Sequence, residues 1–165
     1  MTAAVLGLAL VACLWWTYFA ADDARAEHAL TAADVEARPR LAIRAFFYAH
    51  IPMLLGVVCV AVGIKHILAH SGEALATAPA AALGGGVALY LAGDVVFRAI
   101  LRIGRGTTRA TVGLAALATI PLGALSAMLQ LVTLVLLFLA AFGVEAAPAR
   151  AARPAKAVRR DGEVR

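Results

Sequence analysis

Four long runs of the chain contain no Asp, Glu, Lys or Arg, and they constrain the fold more than any other feature. They cover residues 1–21, 45–64, 74–93 and 110–144, more than half of the 165 residues. A membrane-spanning helix needs about 20 apolar residues, so each run can cross a bilayer. The chain is 63% apolar and 15% charged, whereas soluble domains are roughly 45–50% apolar and about 25% charged. These features predict an all-α, polytopic transmembrane helical bundle. They exclude a soluble enzyme, a disulfide-stapled secreted domain and a free nucleic-acid-binding protein.

The number of spans depends on whether the run at 110–144 crosses the membrane once or twice. With Arg44 left aside at a helix end, one crossing places 7 basic residues on each side of the membrane. Two crossings place 13 on one side and Lys65 alone on the other. Because cytoplasmic loops are enriched in Lys and Arg, this asymmetry favours five spans over the alternative four. It also predicts an outside N-terminus and a cytoplasmic C-terminus.

We expect a transmembrane domain over residues 1–145, followed by a disordered basic tail over residues 146–165. The expected spans are residues 3–21, 41–64, 80–97, 106–120 and 124–144. The sequence Pro121-Leu122-Gly123 is expected to form the last turn, since proline and glycine favour tight turns. The fourth span is short, so we expect it to tilt little, to thin the bilayer, or to let Arg109 near its start reach toward the interface.

Small residues in the third span recur every four positions. They are Ala80, Gly84, Ala88 and Ala92. Small side chains let helix backbones approach closely in lipid. The repeat therefore predicts a helix-packing face.

Polar residues within or beside the predicted spans form a candidate intramembrane polar site. They are Arg44, His50, Tyr90 and Asp94. Matching the centres of the second and third spans places His50 and Asp94 at the same depth, where such a pair can relay a proton or bind a cation. In the alternative interpretation, Asp94 pairs with Arg98 one turn away, and His50 donates to a backbone carbonyl loosened by Pro52.

Three motifs resemble the C-terminal half of the bacterial low temperature requirement A proteins. The first comprises Trp15, Trp16, Tyr18 and Phe19, and the second comprises Tyr48, His50, Pro52 and Met53 with Gly56 four residues after Pro52. The third places Gly85 and Gly86 before the sequence Ala88-Leu89-Tyr90-Leu91. The resemblance implies a larger multi-spanning protein of which this chain is the C-terminal portion. It also marks signature positions without assigning them catalytic roles: Trp15, Trp16, Tyr18, Phe19, Tyr48, His50 and Pro52.

We expect a multi-pass protein of the bacterial inner membrane that is not an enzyme and has no cofactor or bound metal. Its expected partner is the lipid bilayer and not a nucleic acid. The leading hypothesis is transport or sensing through the polar site near His50 and Asp94. The alternative is a non-catalytic helix-packing or assembly module, truncated from a larger membrane protein. Such a module would associate with a missing N-terminal half or with itself.

Overall fold

The fold is described from a computed structural model, which describes residues 1–19, 22–70, 73–104 and 106–151. Within these ranges the regular secondary structure is helical and no strand occurs. The elements in chain order are α1 (Thr2–Phe19), α2 (Asp22–Thr31), α3 (Arg38–Ala42), a π-helical segment (Ile43–Tyr48), α4 (His50–Ala69), α5 (Thr77–Leu101), α6 (Thr107–Ala118), α7 (Ile120–Leu125) and α8 (Ala127–Ala151). The all-α prediction is confirmed.

Five helical stretches in the described part of the chain are long and apolar enough to cross a membrane. They are Thr2–Phe19, Arg38–Ala69, Thr77–Leu101, Thr107–Leu125 and Ala127–Glu145. Each overlaps one of the five predicted spans, so the preferred number is confirmed. The second and third stretches extend beyond the predicted ends because their helices continue through Lys65 and Arg98. Long basic side chains are tolerated there, since their apolar stems can lie along the helix.

The turn between the last two spans lies at Ser126, so its predicted position at Pro121–Gly123 is wrong. Pro121 occupies the first turn of α7. Backbone N–H groups there have no carbonyl partner within the helix, so the N–H that proline lacks is not needed. The chain becomes extended at Ser126, with φ −164° and ψ 129°. Gly123 is buried against the side chain of Gln130, whose Nε2 donates to the Ala80 carbonyl oxygen at 2.9 Å. Helix α7 therefore lengthens the fourth span.

The last helix continues past the predicted end of the transmembrane domain. Helix α8 extends to Ala151, so residues 146–151 of the expected tail are helical. This stretch is rich in alanine, the strongest helix former. The rest of the expected tail, residues 152–165, lies outside the described residues.

Helices α4 and α5 pack through glycines that let their backbones approach closely. Gly56 lies against Gly86, and a Cβ atom at Gly56 would be 2.6 Å from the Gly86 carbonyl oxygen. Gly93 lies against Ala49 and Met53 in the same way. Close backbone packing is a main source of helix association in lipid, where burying apolar side chains gives little gain. These contacts set the register between α4 and α5.

The small residues predicted to form one packing face of α5 do not all contact the same helix. Ala80 and Gly84 are buried, and Gly84 lies against the Ala116 carbonyl oxygen of α6, whereas Ala92 is exposed. A helix has 3.6 residues per turn, so a repeat of four drifts by about 40° around the axis at each step. The repeat therefore starts on a buried side of α5 and ends on an exposed one.

One end of the bundle, here called the basic end, is where α1, α5 and α8 finish and where α4 and α6 begin. The arginines described at this end are Arg25, Arg38, Arg40, Arg44, Arg98, Arg102 and Arg109. Lys65 lies near the opposite end, close to the finish of α4. The basic side chains that the structure describes are thus separated as the five-span prediction requires.

We expect Gly86→Ala to destabilise the bundle and Gly85→Ala to leave it unchanged. A Cβ atom at Gly86 would lie 2.8 Å from both the Gly56 carbonyl oxygen and the Val60 backbone nitrogen, whereas one at Gly85 would meet nothing within 4 Å. Overpacking of this kind costs about 1–3 kcal/mol. Denaturant titration in mixed micelles measures the difference. Equal stability of the two variants would contradict the packing described for α4 and α5.

Candidate intramembrane polar site

A buried carboxylate, Asp94, lies at the centre of an ionic cluster near the basic end. Its side chain has 0% exposure, and its Oδ2 accepts a hydrogen bond from Arg98 Nε at 3.2 Å. Arg109 Nε lies 2.5 Å from the same oxygen and forms a second ion pair. A charged group at membrane depth is costly unless it is paired, and these two arginines supply the pairing. We call Asp94, Arg98, Arg109 and Glu145 the ionic cluster.

Arg109 connects the ionic cluster to four helices. Its Nη1 donates to Glu145 Oε1 of α8 at 2.7 Å, and its Nη2 donates to the Thr17 carbonyl oxygen of α1 at 2.9 Å. Together with Asp94 on α5, these contacts join α1, α5 and α8 to the start of α6. The side chain is buried. It therefore does not reach toward the interface, which was one of the adjustments expected for this short span. The signal available in the sequence was an arginine at the start of a short span, which needs a carboxylate partner in lipid.

His50 uses both ring nitrogens in contacts with groups other than Asp94. Nδ1 lies 3.1 Å from the Ala45 carbonyl oxygen and Nε2 lies 3.0 Å from the Tyr18 hydroxyl. A carbonyl oxygen can only accept, so Nδ1 carries the proton, and in the neutral ring Nε2 accepts from Tyr18. The ring of Phe97 packs edge-on against the imidazole at a centroid distance of 5.5 Å.

The register of α4 and α5 places His50 and Asp94 at the same level along the two helices. Gly93, next to Asp94, lies against the Ala49 carbonyl oxygen, next to His50. The two side chains nevertheless point to different partners, since His50 binds Tyr18 of α1 and Asp94 binds the arginines. The structure thus has the separate pairings of the alternative interpretation. It does not join His50 directly to Asp94 through the imidazole nitrogens.

The carbonyl oxygen that accepts the hydrogen bond from His50 is that of Ala45. It is not that of Tyr48, the residue that lies four positions before Pro52. Pro52 lacks the N–H that would bind the carbonyl of Tyr48, four residues earlier. The acceptor is instead Ala45, in a segment where the Ala49 N–H donates to Arg44, five residues back. Such wide turns are frequent at functional sites. The predicted type of contact is present, but a different local distortion supplies it.

A cleft of about 360 Å³ lies between α1 and α4 and contains the His50–Tyr18 hydrogen bond at one end. Its lining residues are Val11, Leu14, Trp15, Tyr18, Phe19, His50, Met53, Leu54, Val57, Val60 and Tyr90. The Tyr90 hydroxyl donates to the Leu14 carbonyl oxygen at 2.9 Å and so ties α5 to α1 behind the cleft. Trp15 and Leu54 are 55% and 65% exposed, so the cleft opens sideways, toward lipid in a membrane. We call this space the α1–α4 cleft.

The predicted site residues divide between the cleft, the ionic cluster and the outer surface. His50 and Tyr90 line the α1–α4 cleft, together with the signature residues Trp15, Tyr18 and Phe19. Asp94 belongs to the ionic cluster. The remaining predicted residues contribute to neither and are exposed or, for Pro52, half-buried: Arg44, Tyr48, Trp16 and Pro52.

Comparison with known protein families identifies a match over most of the chain. The family model described as "Bacterial low temperature requirement A protein (LtrA)" matches residues 1–144, which include all five candidate spans except the final residue of the fifth. Neither the curated proteins nor the solved structures contain a match.

We expect Arg109→Gln to destabilise the bundle by about 3–5 kcal/mol, the cost of removing one partner from a buried ion pair. The matched control is Arg102→Gln, because Arg102 lies at the same end of the bundle but is exposed. Denaturant titration in mixed micelles gives the free energy of unfolding of both variants. A loss no greater than that of Arg102→Gln would show that the ionic cluster does not hold the helices together.

Proposed function

The chain belongs to the bacterial low temperature requirement A family, and from this premise we propose that it is an inner-membrane sensor that binds a bilayer-dissolved molecule in the α1–α4 cleft. The observation that carries the proposal is the hydrogen bond between His50 and Tyr18 at one end of an otherwise apolar cleft. Ligand sites commonly combine an apolar lining with a few placed polar groups. The family name indicates that these proteins are required at low temperature.

The shape of the cleft supports sensing over transport. Along α4 it reaches from His50 to Val60, ten residues or about 15 Å at 1.5 Å per residue. This is about half of the 30 Å hydrocarbon core. A molecule entering sideways from one leaflet can therefore reach the polar end without crossing the membrane. In this function the lining side chains bind the ligand without a catalytic role, and the partner of the chain is the bilayer.

A second candidate function is that of an assembly module, which the outer face of α5 favours. A Cβ atom at Gly85 would meet nothing within 4 Å, and Ala92 and Ala99 on the same helix are exposed. Small residues suit the close approach of another transmembrane helix. In this alternative, the face would contact another copy of the chain or the N-terminal half of a larger family member.

For the proposed orientation, with the N-terminus outside and the basic end in the cytoplasm, we expect opposite labelling of two cysteine variants. Leu125→Cys at the turn between the last two spans reacts with an impermeant maleimide added from outside, whereas Arg102→Cys does not. Leu125 is 74% exposed, and Arg102 is exposed at the basic end. The native cysteines Cys13 and Cys59 are first replaced by serine. Labelling of Leu125→Cys from the cytoplasm alone would refute the orientation.

For the sensing function, we expect Val57→Phe to abolish growth in the cold of a host that depends on this chain, whereas Val58→Phe supports growth. Val57 lines the α1–α4 cleft, so the larger ring fills it, while Val58 is 58% exposed outside the lining. Equal membrane levels of the two proteins are the control. If the host grows normally without the chain, the proposed role is wrong.

The same growth assay separates the other candidates. Loss of growth with Gly85→Leu, but not with Val57→Phe, would favour the assembly module, since Leu at this position blocks the open face of α5. Ion flux through proteoliposomes that disappears with His50→Ala would favour transport over sensing.

A further inference from the structure

The α1–α4 cleft has the dimensions of one aliphatic chain. Its volume of about 360 Å³ is near the lower end of the range for ligand pockets, roughly 300–1,000 Å³. Its far end is lined by Val11, Val57 and Val60, and its near end by the aromatic rings of Trp15 and Tyr18. A narrow apolar slot with one polar end fits a single-chain amphiphile. The head of this amphiphile would lie at His50.

The lining favours an uncharged head group. None of the lining residues named above is Asp, Glu, Lys or Arg. A buried charge needs an opposite charge or several hydrogen bonds to offset the loss of water. An ammonium head would have no anionic partner among these residues, and a carboxylate or phosphate head would find one only if His50 took up a proton. An uncharged head group needs no such protonation, and we take this case.

The hydrogen bond between Tyr18 and His50 selects among uncharged head groups. A hydroxyl inserted between them accepts from the Tyr18 hydroxyl and donates to His50 Nε2, so both protein groups keep a partner. An ether or ester oxygen can accept from Tyr18 but has no proton for Nε2. Such a head either leaves Nε2 unsatisfied or leaves the Tyr18–His50 hydrogen bond in place and gains no hydrogen bond itself, so it binds more weakly than a hydroxyl.

From these observations we infer that the ligand of the α1–α4 cleft is a long-chain aliphatic alcohol, with its hydroxyl bridging Tyr18 and His50. This inference rests on the proposed sensing function and names the class of molecule that is sensed. Insertion of the hydroxyl separates the Tyr18 oxygen from His50 Nε2, which are 3.0 Å apart in the structure. Binding therefore moves the Tyr18 side chain away from His50.

The two tryptophans of the chain provide a matched pair of reporters. Trp15 and Trp16 are each 55% exposed, but only Trp15 is among the cleft-lining residues named above. The variant Trp16→Phe keeps the cleft reporter, and Trp15→Phe keeps the control reporter. The full chain is reconstituted in zwitterionic phospholipid vesicles. It is titrated with a chain-brominated long-chain alcohol or with its methyl ether, which quench fluorescence on contact.

We expect the alcohol to quench Trp15 at a mole fraction about fivefold or more below that needed for the ether. A fivefold difference corresponds to about 1 kcal/mol, the lower value for an unsatisfied buried group. Quenching of Trp16 is expected to be the same for both probes. His50→Phe and Tyr18→Phe, in the Trp15 reporter, each remove the preference because the hydroxyl loses one partner. Thermal unfolding of both variants checks that they are folded.

The possible failures are distinguishable. If the alcohol and the ether quench Trp15 equally and saturably, and more strongly than Trp16, the cleft binds amphiphiles but the inference of a hydroxyl head is wrong. If both tryptophans are quenched alike, without saturation and by either probe, the cleft is not a binding site and the proposed function fails with it. A preference for the alcohol that survives both His50→Phe and Tyr18→Phe also overturns the inference, since another group must then bind the hydroxyl.

Discussion

The pairing of Asp94 with two arginines is the interaction on which the arrangement of helices depends. A fully buried carboxylate among apolar helices is tolerable only if cations reach it. Arg98 does so from the same helix, but Arg109 does so from α6 and also binds α1 and α8. The positions of α1, α5, α6 and α8 are therefore constrained by the contacts of one side chain, Arg109. Any rotation of α6 that removed Arg109 would leave the charge of Asp94 underpaired in a medium without water.

The packing of α4 on α5 differs from the ionic cluster, because backbone atoms and small side chains form it and charged groups do not. Gly56, Gly86 and Gly93 bring the two helices together and set their register. Helix α1 instead packs mainly on α8 and touches α4 more lightly. The α1–α4 cleft follows from this difference, because α4 is held firmly on one side and loosely on the other. The more open side of α4 thus includes the His50–Tyr18 hydrogen bond.

The sequence predicted those properties of the fold that depend only on position along the chain and along each helix axis. Span number and helix level follow from run lengths, basic residues and antiparallel order, so five spans and the common level of His50 and Asp94 could be derived. Rotation about each helix axis could not, because it depends on packing. His50 therefore turned toward Tyr18, and Arg109 turned inward to Asp94. The turn at Ser126 was missed because Pro121 suits the first turn of a helix as well as a loop.

Two adjacent residues of α1 connect the cleft to the ionic cluster. Tyr18 binds His50 through its side chain, while Thr17 binds Arg109 through its carbonyl oxygen. A displacement of the Tyr18 main chain would move the neighbouring peptide group, because the two residues share one turn of helix. The Thr17–Arg109 bond would then lengthen or Arg109 would follow, changing its geometry with Asp94 and Glu145. If the proposed ligand moves the main chain of α1, occupation of the cleft would thus alter charged contacts at the basic end although the ligand carries no charge.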